Sequence, residues 1–222
     1  MSLILNIETA TDVCSVCIAE NGRLISLRET QQKNAHASSI TPFIDEVISE
    51  AHRTIDELDA IAVSSGPGSY TGLRIGVSTA KGLCLALGAP LISVSTLQAM
   101  AFRMAEINNG EKCLYCPMID ARRMEVYAGI YDADNKAIEP PHSVMIDHDS
   151  FATVLVRNKI IFFGSGSAKC KGIINNPRAS FYDGFTVSSS HLCTLSAKAY
   201  SEKRFEELAY FEPLYLKKII AD

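Results

Sequence analysis

The segment LILNIETATD (residues 3–12) decides the fold, because a short apolar run ends abruptly in polar residues. A second apolar run covers residues 14–19, and Asn21-Gly22 follows it as a strong hairpin signal. A third run covers residues 24–29. Short apolar runs separated by turn residues predict an antiparallel meander of three strands, with Glu8 at the first turn.

Alternating helices and strands follow the meander. Apolar side chains recur at the 3.6-residue period in the first of these segments, which predicts a helix. A glycine-containing turn, SSGPGS at residues 64–69, separates a short buried strand from a long helix. The predicted elements are a helix over 38–52, a strand over 58–63, a helix over 71–87, a strand over 90–94 and a helix over 96–105. The first half therefore reads βββαβαβα.

The second half begins in the same way, with fewer and weaker elements. The predicted segments are strands over 116–119, 125–131 and 159–163, and a helix near 149–156. The last strand leads into Gly164-Ser-Gly166-Ser, a second glycine turn. Repetition of the same order indicates an internal duplication whose second copy is degraded.

Equivalent acids support the duplication. Glu8 and Asp120 each follow the first strand of their half. Two such lobes predict an α/β protein with the actin-like ATPase (ribonuclease H-like) fold, made of duplicated βββαβα lobes of which the second is reduced. We expect the first lobe over 1–106 and the second over 107–222, with the last residues packing back on the first lobe.

Composition excludes several classes of protein. The chain has 222 residues, of which 47% are apolar, and this is enough to bury a core. Its net charge of −4 argues against a free-standing nucleic-acid clamp. No apolar run approaches the length of a membrane span, and the first residues lack the basic stretch of a secretory signal. A cytoplasmic protein with reduced thiols is expected.

Two C-x-x-C spacings raise the question of a metal site. Cys14 and Cys17, like Cys113 and Cys116, fall in predicted strands, where residues three apart point to opposite faces. Neither pair can then chelate one ion without a turn between its members. No two histidines are four residues apart. We predict no metal site and no catalytic residue.

The turns at the strand ends allow two interpretations. GPGSYTG (66–72) resembles a phosphate cradle, but it matches neither the dinucleotide nor the P-loop pattern, and a tight strand-to-helix turn is the favoured interpretation. Polar residues and glycines in the turns after the strands fit either a capped turn or the remains of a nucleotide site. These vestigial nucleotide-site candidates are Glu8, Thr9, Thr11, Asp120, Gly164 and Gly166.

The helix over 71–87 carries two faces that could be buried. One is apolar and suits the core of the chain itself. The other is small and nearly uncharged, and Gly72 and Gly76 on it would allow another helix to approach closely. Either a helix of another chain or the 38–52 helix of this chain could fill that role. The predicted partner interface consists of Gly72, Ile75, Gly76, Thr79, Leu83 and Ala86, with Ile40 and Phe43 from the preceding helix.

Several segments resemble the TsaB family, also called YeaZ. They are LNIETATD (5–12), SGPGSYTGLRIG (65–76), VSTL (94–97), IDARRMEVY (119–127) and PLYLK (213–217). The match is dense up to about residue 127 and thin between 130 and 210.

The resemblance implies an actin-like fold and a role in making threonylcarbamoyladenosine next to the anticodon of tRNAs that read codons beginning with A. It implies a heterodimer with the transferase TsaD, to which the ATPase TsaE is added, and a homodimer when the chain is isolated. It places the dimer surface on the helices over 38–52 and 71–87. We expect tRNA to be reached only indirectly, through the partners.

The same resemblance separates this chain from the transferase itself. TsaD-type proteins carry an H-x-x-x-H metal pair, which this sequence lacks. The chain is therefore interpreted as a non-catalytic scaffold that needs no cofactor, with ATP binding left open. The alternative is an active ATPase or small-molecule kinase of the same fold. The older peptidase label of the family has no support in these residues.

Overall fold

The computed structural model describes residues 2–109 and 111–217. It divides into two compact units. The first holds the residues up to Thr96 together with Val187–Leu214, and the second holds Leu97–Thr186 and the residues from Tyr215 onward. The division falls at residue 96, earlier than the expected boundary at 106, and a late segment joins the first unit.

The first unit is built on a five-stranded sheet. Its strands are β1 (Leu3–Glu8), β2 (Cys14–Glu20), β3 (Arg23–Thr30), β4 (Ala60–Ser64) and β5 (Leu91–Val94). Their order across the sheet is β3-β2-β1-β4-β5, in which β1, β2 and β3 are antiparallel and β1, β4 and β5 are parallel. The predicted meander and the crossover strands are confirmed.

Three helices follow the predicted order in the first half. They are α1 (His36–Glu50), α2 (Tyr70–Leu87) and α3 (Thr96–Ile107). The Ser69 hydroxyl accepts the Gly72 N–H at 3.2 Å and caps α2 at its start, and Gly88 ends it in the left-handed conformation. Apolar side chains of α1 and α2 pack with those of the sheet in one core.

The second unit repeats the sheet of the first. Its strands are β6 (Leu114–Asp120), β7 (Glu125–Tyr131), β8 (Ala137–Met145), β9 (Ile160–Phe163) and β10 (Ala179–Tyr182). Their order is β10-β9-β6-β7-β8, the same sequence of pairings as in the first unit. The duplication is confirmed, and the fold is the actin-like α/β fold.

The helices that follow β6 in the second unit are much shorter than those of the first unit. Helix α4 has only four residues (Ala152–Leu155), and a single 3-10 turn (Ala168–Cys170) stands where α2 stands in the first unit. The reduction expected for the second copy therefore lies in its helices, while its sheet is complete.

A late segment completes the first unit. Helix α5 (Cys193–Ser201) packs against β1 and β5. The Ser196 hydroxyl donates to Asn6 Oδ1 at 2.7 Å, and both residues are buried. The buried Asn6 of β1 is thus satisfied by a residue far along the chain.

The first C-x-x-C pair is divided by the sheet. Cys14 belongs to the core cluster that holds α1 and α2, whereas Cys17 lies in a cluster with Cys193. The predicted opposite orientation is confirmed. No helix among the described residues has both the length and the apolar character that crossing a membrane requires.

Candidate functional site

Glu8 lies at the end of β1 and is 0% exposed. Its Oε1 accepts the Ala10 N–H at 2.6 Å and the Ser64 hydroxyl at 2.9 Å, whereas Oε2 has no hydrogen-bond partner among the described residues. Burial raises the pKa of Glu8 to about 7, although hydrogen bonds from Ala10, Ser64 and Thr9 oppose the rise. A carboxyl group in this state is poorly suited to hold a hydrated cation.

Helix α2 covers the turn that follows Glu8. A Cβ added to Gly72 would lie 2.1 Å from the Thr9 carbonyl oxygen, and one added to Gly76 would lie 2.2 Å from Thr9 Oγ1. Only glycine permits so close an approach. The glycine pair therefore packs on the chain's own β1–β2 turn.

The glycine turn before α2 closes the same region. A Cβ on Gly68 would lie 2.1 Å from the Ala10 carbonyl oxygen, and the Ser69 N–H donates to that oxygen at 2.7 Å. Of the two interpretations of GPGSYTG, the tight packing turn is the one that these contacts support. Thr9 is fully buried, and Thr11 is half-buried with its hydroxyl accepting the Val13 N–H.

Asp120 is the equivalent acid of the second unit, and it is exposed. Its Oδ1 accepts the Lys169 ammonium at 2.6 Å and the Arg122 N–H at 2.7 Å. Partial burial raises the pKa of Asp120, but these two donors outweigh it and hold the pKa below its ordinary value. A tethered ammonium thus occupies the carboxylate.

The second glycine turn also packs on its own strand. A Cβ on Gly164 would lie 2.5 Å from the Met118 carbonyl oxygen, and one on Gly166 would lie 3.1 Å from the Ile119 carbonyl carbon. Within residues 2–109 and 111–217, no three His, Cys, Asp or Glu side chains group as metal ligands. The vestigial nucleotide-site candidates are therefore engaged in packing and ion pairing within their own units.

The structure corrects part of the predicted partner interface. Gly72, Gly76 and Ile40 are buried inside the first unit, because the glycines receive the Thr9 turn and Ile40 belongs to the core. The prediction was wrong for these three residues. The other predicted residues reach the surface: Ile75, Thr79, Leu83 and Phe43 are half-buried, and Ala86 is exposed.

A second stripe of small residues lies on the outward side of α2. Ser78, Gly82 and Ala86 are exposed and four residues apart, and a Cβ on Gly82 would meet nothing within 4 Å. Leu85 beside them is 78% exposed. We define these four residues as the outer α2 stripe. The i, i+4, i+8 spacing of Ser78, Gly82 and Ala86 is the sequence signal from which this stripe could have been predicted.

Comparisons with known proteins agree with this architecture. The family model described as "TsaD: tRNA N6-adenosine threonylcarbamoyltransferase" matches residues 24–219. The Escherichia coli protein named tRNA threonylcarbamoyladenosine biosynthesis protein TsaB is 28% identical, and the match covers 98% of this chain and 96% of that protein. The Haemophilus influenzae protein of the same name is 36% identical, over 56% of this chain and 51% of its own length.

The chain belongs to the TsaB (YeaZ) family.

Solved structures support the family at the level of the fold. YeaZ from Pseudomonas aeruginosa matches with a TM-score of 0.82 at 26% identity, covering 97% of this chain and 100% of that chain. A second Pseudomonas aeruginosa structure, described as similar to peptidase YeaZ, matches with a TM-score of 0.86 at 25% identity. The two-unit architecture is thus that of the TsaB family over nearly the whole chain.

Proposed function

We propose that this chain is a non-catalytic activator of a TsaD-type transferase in the formation of threonylcarbamoyladenosine on tRNA. The relatives' names give the pathway, and the burial of Glu8 beneath α2 carries the non-catalytic part of the proposal. An acid that positions a nucleotide-bound cation has to reach it, and Glu8 has no exposed surface.

The second unit supports the same proposal. The Lys169 ammonium donates to three oxygens, of the Asp120 carboxylate and of the Arg123 and Glu125 carbonyls, at 2.6, 2.8 and 2.7 Å. The Lys169 ammonium thus pairs with Asp120. In an active ATPase of this fold, the carboxylate at this place would be free to bind a cation. Glu8 and Asp120, the equivalent acids of the two units, thus both form contacts within their own units.

The outer α2 stripe is the proposed contact with the partner. An exposed glycine within a helix costs about 1 kcal/mol relative to alanine, and no contact of the chain itself requires Gly82. Small residues four apart let a second helix approach closely, and Leu85 then gains a partner to bury against. Phe43 and Ile75 are half-buried and pack against the core of the same unit.

The partners are those that membership of the TsaB family suggests, and the surface gives the place of contact. We propose a heterodimer with TsaD through the outer α2 stripe, to which TsaE is added, and a homodimer through the same stripe when the chain is isolated. The proposed activity needs no cofactor bound to this chain, and we place it in the cytoplasm.

Association of purified chains tests the proposal. Gly82→Arg puts a long charged side chain into the contact and is expected to weaken binding to TsaD by at least tenfold, while the variant stays folded. Gly172→Arg is the matched control, because Gly172 is exposed with nothing within 4 Å and lies in the other unit. Equal binding of both variants would contradict the assigned surface. Steady ATP turnover by the chain alone would favour the ATPase or kinase alternative.

A further inference from the structure

The turn between β6 and β7 holds two consecutive arginines in the left-handed conformation. Arg122 has φ 70° and Arg123 has φ 45°. Among residues 2–109 and 111–217, no other two consecutive non-glycine residues adopt positive φ. Each such residue costs about 1–2 kcal/mol, because its Cβ crowds the backbone. The surrounding structure has to impose this conformation.

Charged side chains and backbone groups together hold most polar backbone groups of the turn. The Lys169 ammonium donates to the Arg123 and Glu125 carbonyls, and the Lys217 ammonium donates to the Ala121 carbonyl at 3.1 Å. The Arg122 N–H donates to Asp120, and the Glu125 N–H donates to the Arg122 carbonyl at 3.1 Å. The turn is therefore held rigidly by groups other than the two arginine side chains.

The two guanidinium groups themselves remain unused. Both arginines are exposed, and neither side chain makes a hydrogen bond or ion pair with any described residue. Most other arginines are engaged by carboxylates, carbonyls or a tyrosine ring: Arg28, Arg53, Arg74, Arg103, Arg178 and Arg204. A rigid, strained turn that presents two free guanidinium groups is preorganised for an external ligand.

The local charge identifies the chemistry of that ligand. The turn and its supports carry four cations, Arg122, Arg123, Lys169 and Lys217, against the two carboxylates Asp120 and Glu125. The local balance is positive in a chain whose net charge is −4. A guanidinium group matches phosphate oxygens with two parallel N–H donors, so phosphate is the anion that this pair suits.

We propose that the Arg122–Arg123 turn binds backbone phosphates of RNA. The choice of RNA as the source of the phosphates rests on the proposed function, in which the substrate is a tRNA. The partner contact is already assigned to the outer α2 stripe of the other unit, and successive phosphates of one strand suit two adjacent arginines. This gives the chain a direct contact with RNA, where the sequence alone favoured an indirect one.

Salt-dependent binding of an unmodified tRNA transcript to the full chain tests the inference. The variant Arg122→Asn/Arg123→Asn removes both charges and keeps a residue that tolerates the left-handed conformation. Losing two phosphate contacts is expected to lower the slope of log affinity against log salt by about 1.4–1.8, and the affinity at about 0.1 M salt by roughly tenfold to a hundredfold. The control is Arg23→Asn/Arg157→Asn, which removes two exposed arginines elsewhere.

Several outcomes would overturn the inference. They are an unchanged slope in the turn variant, an equal loss in the control, or tRNA binding by the unmodified chain that does not depend on salt. Displacement of the tRNA by equimolar ATP, lost in the turn variant, would assign the turn to a free nucleotide. Loss of TsaD binding with unchanged tRNA binding would assign it to an acidic protein surface.

A separate readout distinguishes this failure from failure of the proposed function. If the unmodified chain stimulates TsaD but the turn variant binds tRNA as tightly as the unmodified chain, only the proposed RNA contact is wrong. If the chain does not stimulate TsaD at all, the proposed function is wrong.

Discussion

Replacing Glu8 with glutamine keeps the shape of the side chain and removes its ability to ionise. The glutamine oxygen can accept the Ala10 and Ser64 donors that Glu8 Oε1 accepts. Glu8 has a pKa of about 7 in the folded chain, against 4.5 as the ordinary value in the unfolded chain. Between these two values the folded state holds a proton that the unfolded state has released.

This difference fixes the sign of the pH dependence. The stabilisation from the protonated Glu8 is complete below the unfolded pKa and is lost as the pH rises through the folded pKa. Raising the pH from about 5 to about 8 therefore costs the unmodified chain about 2.5 kcal/mol through this group. The glutamine of Glu8→Gln does not ionise, so the free energy of unfolding of this variant should fall less between about pH 5 and about pH 8.

Thermal unfolding at several pH values measures the effect. For a chain of this size the difference corresponds to a shift of about 5–10 °C in Tm between the two profiles. Glu212→Gln, on an exposed side chain, controls for the substitution itself. Parallel profiles for Glu8→Gln and the unmodified chain would refute the burial of an acid beneath α2.

Three further substitutions test separate contacts. Gly76→Ala should lower the free energy of unfolding by about 1–3 kcal/mol, because its Cβ would overlap Thr9 Oγ1, and denaturant titration checks this. Gly82→Ala should raise it by about 1 kcal/mol at protein concentrations low enough to keep the chain monomeric, since no described residue opposes the better helix former, and an unchanged or lower value would contradict its exposure. Lys169→Met should raise the pKa of Asp120, followed by carboxyl NMR titration, and an unmoved Asp120 resonance would exclude the ion pair.

The first half of the fold could be predicted because its signals are local. Each strand from β1 to β5 is a short apolar run next to a turn, and α1 and α2 follow the helical period. The acid at the end of β1 and its equivalent at Asp120 could be placed by the repetition of this order. The elements of the first half and their order were therefore predicted correctly.

The second half lacked such signals. Strand β8 contains Pro140 and Pro141, which argue against a strand, yet β8 lies at the edge of its sheet, where proline is tolerated. Helix α5 is short and joins the first unit through contacts such as Ser196 to Asn6. Contacts between residues so far apart in the sequence leave no periodic pattern to detect.

The interface on α2 shows a different limit. A helical wheel shows an apolar face and a small face, but it does not show whether the small face packs on this chain or on another. Gly72 and Gly76 face the sheet because the Thr9 turn needs their space, and this turn lies more than sixty residues earlier in the chain. Ser78, Gly82 and Ala86 consequently face outward.

The rate of threonylcarbamoyladenosine formation tests the central claim most directly. TsaD, TsaE, tRNA, ATP and the threonylcarbamoyl donor would be combined without this chain, with it, or with its Glu8→Gln or Gly82→Arg variant. We predict that the unmodified chain and Glu8→Gln stimulate the reaction equally, and that Gly82→Arg does not. Loss of stimulation by a folded Glu8→Gln variant, or full activity without any chain, would contradict a non-catalytic activator that works through the outer α2 stripe.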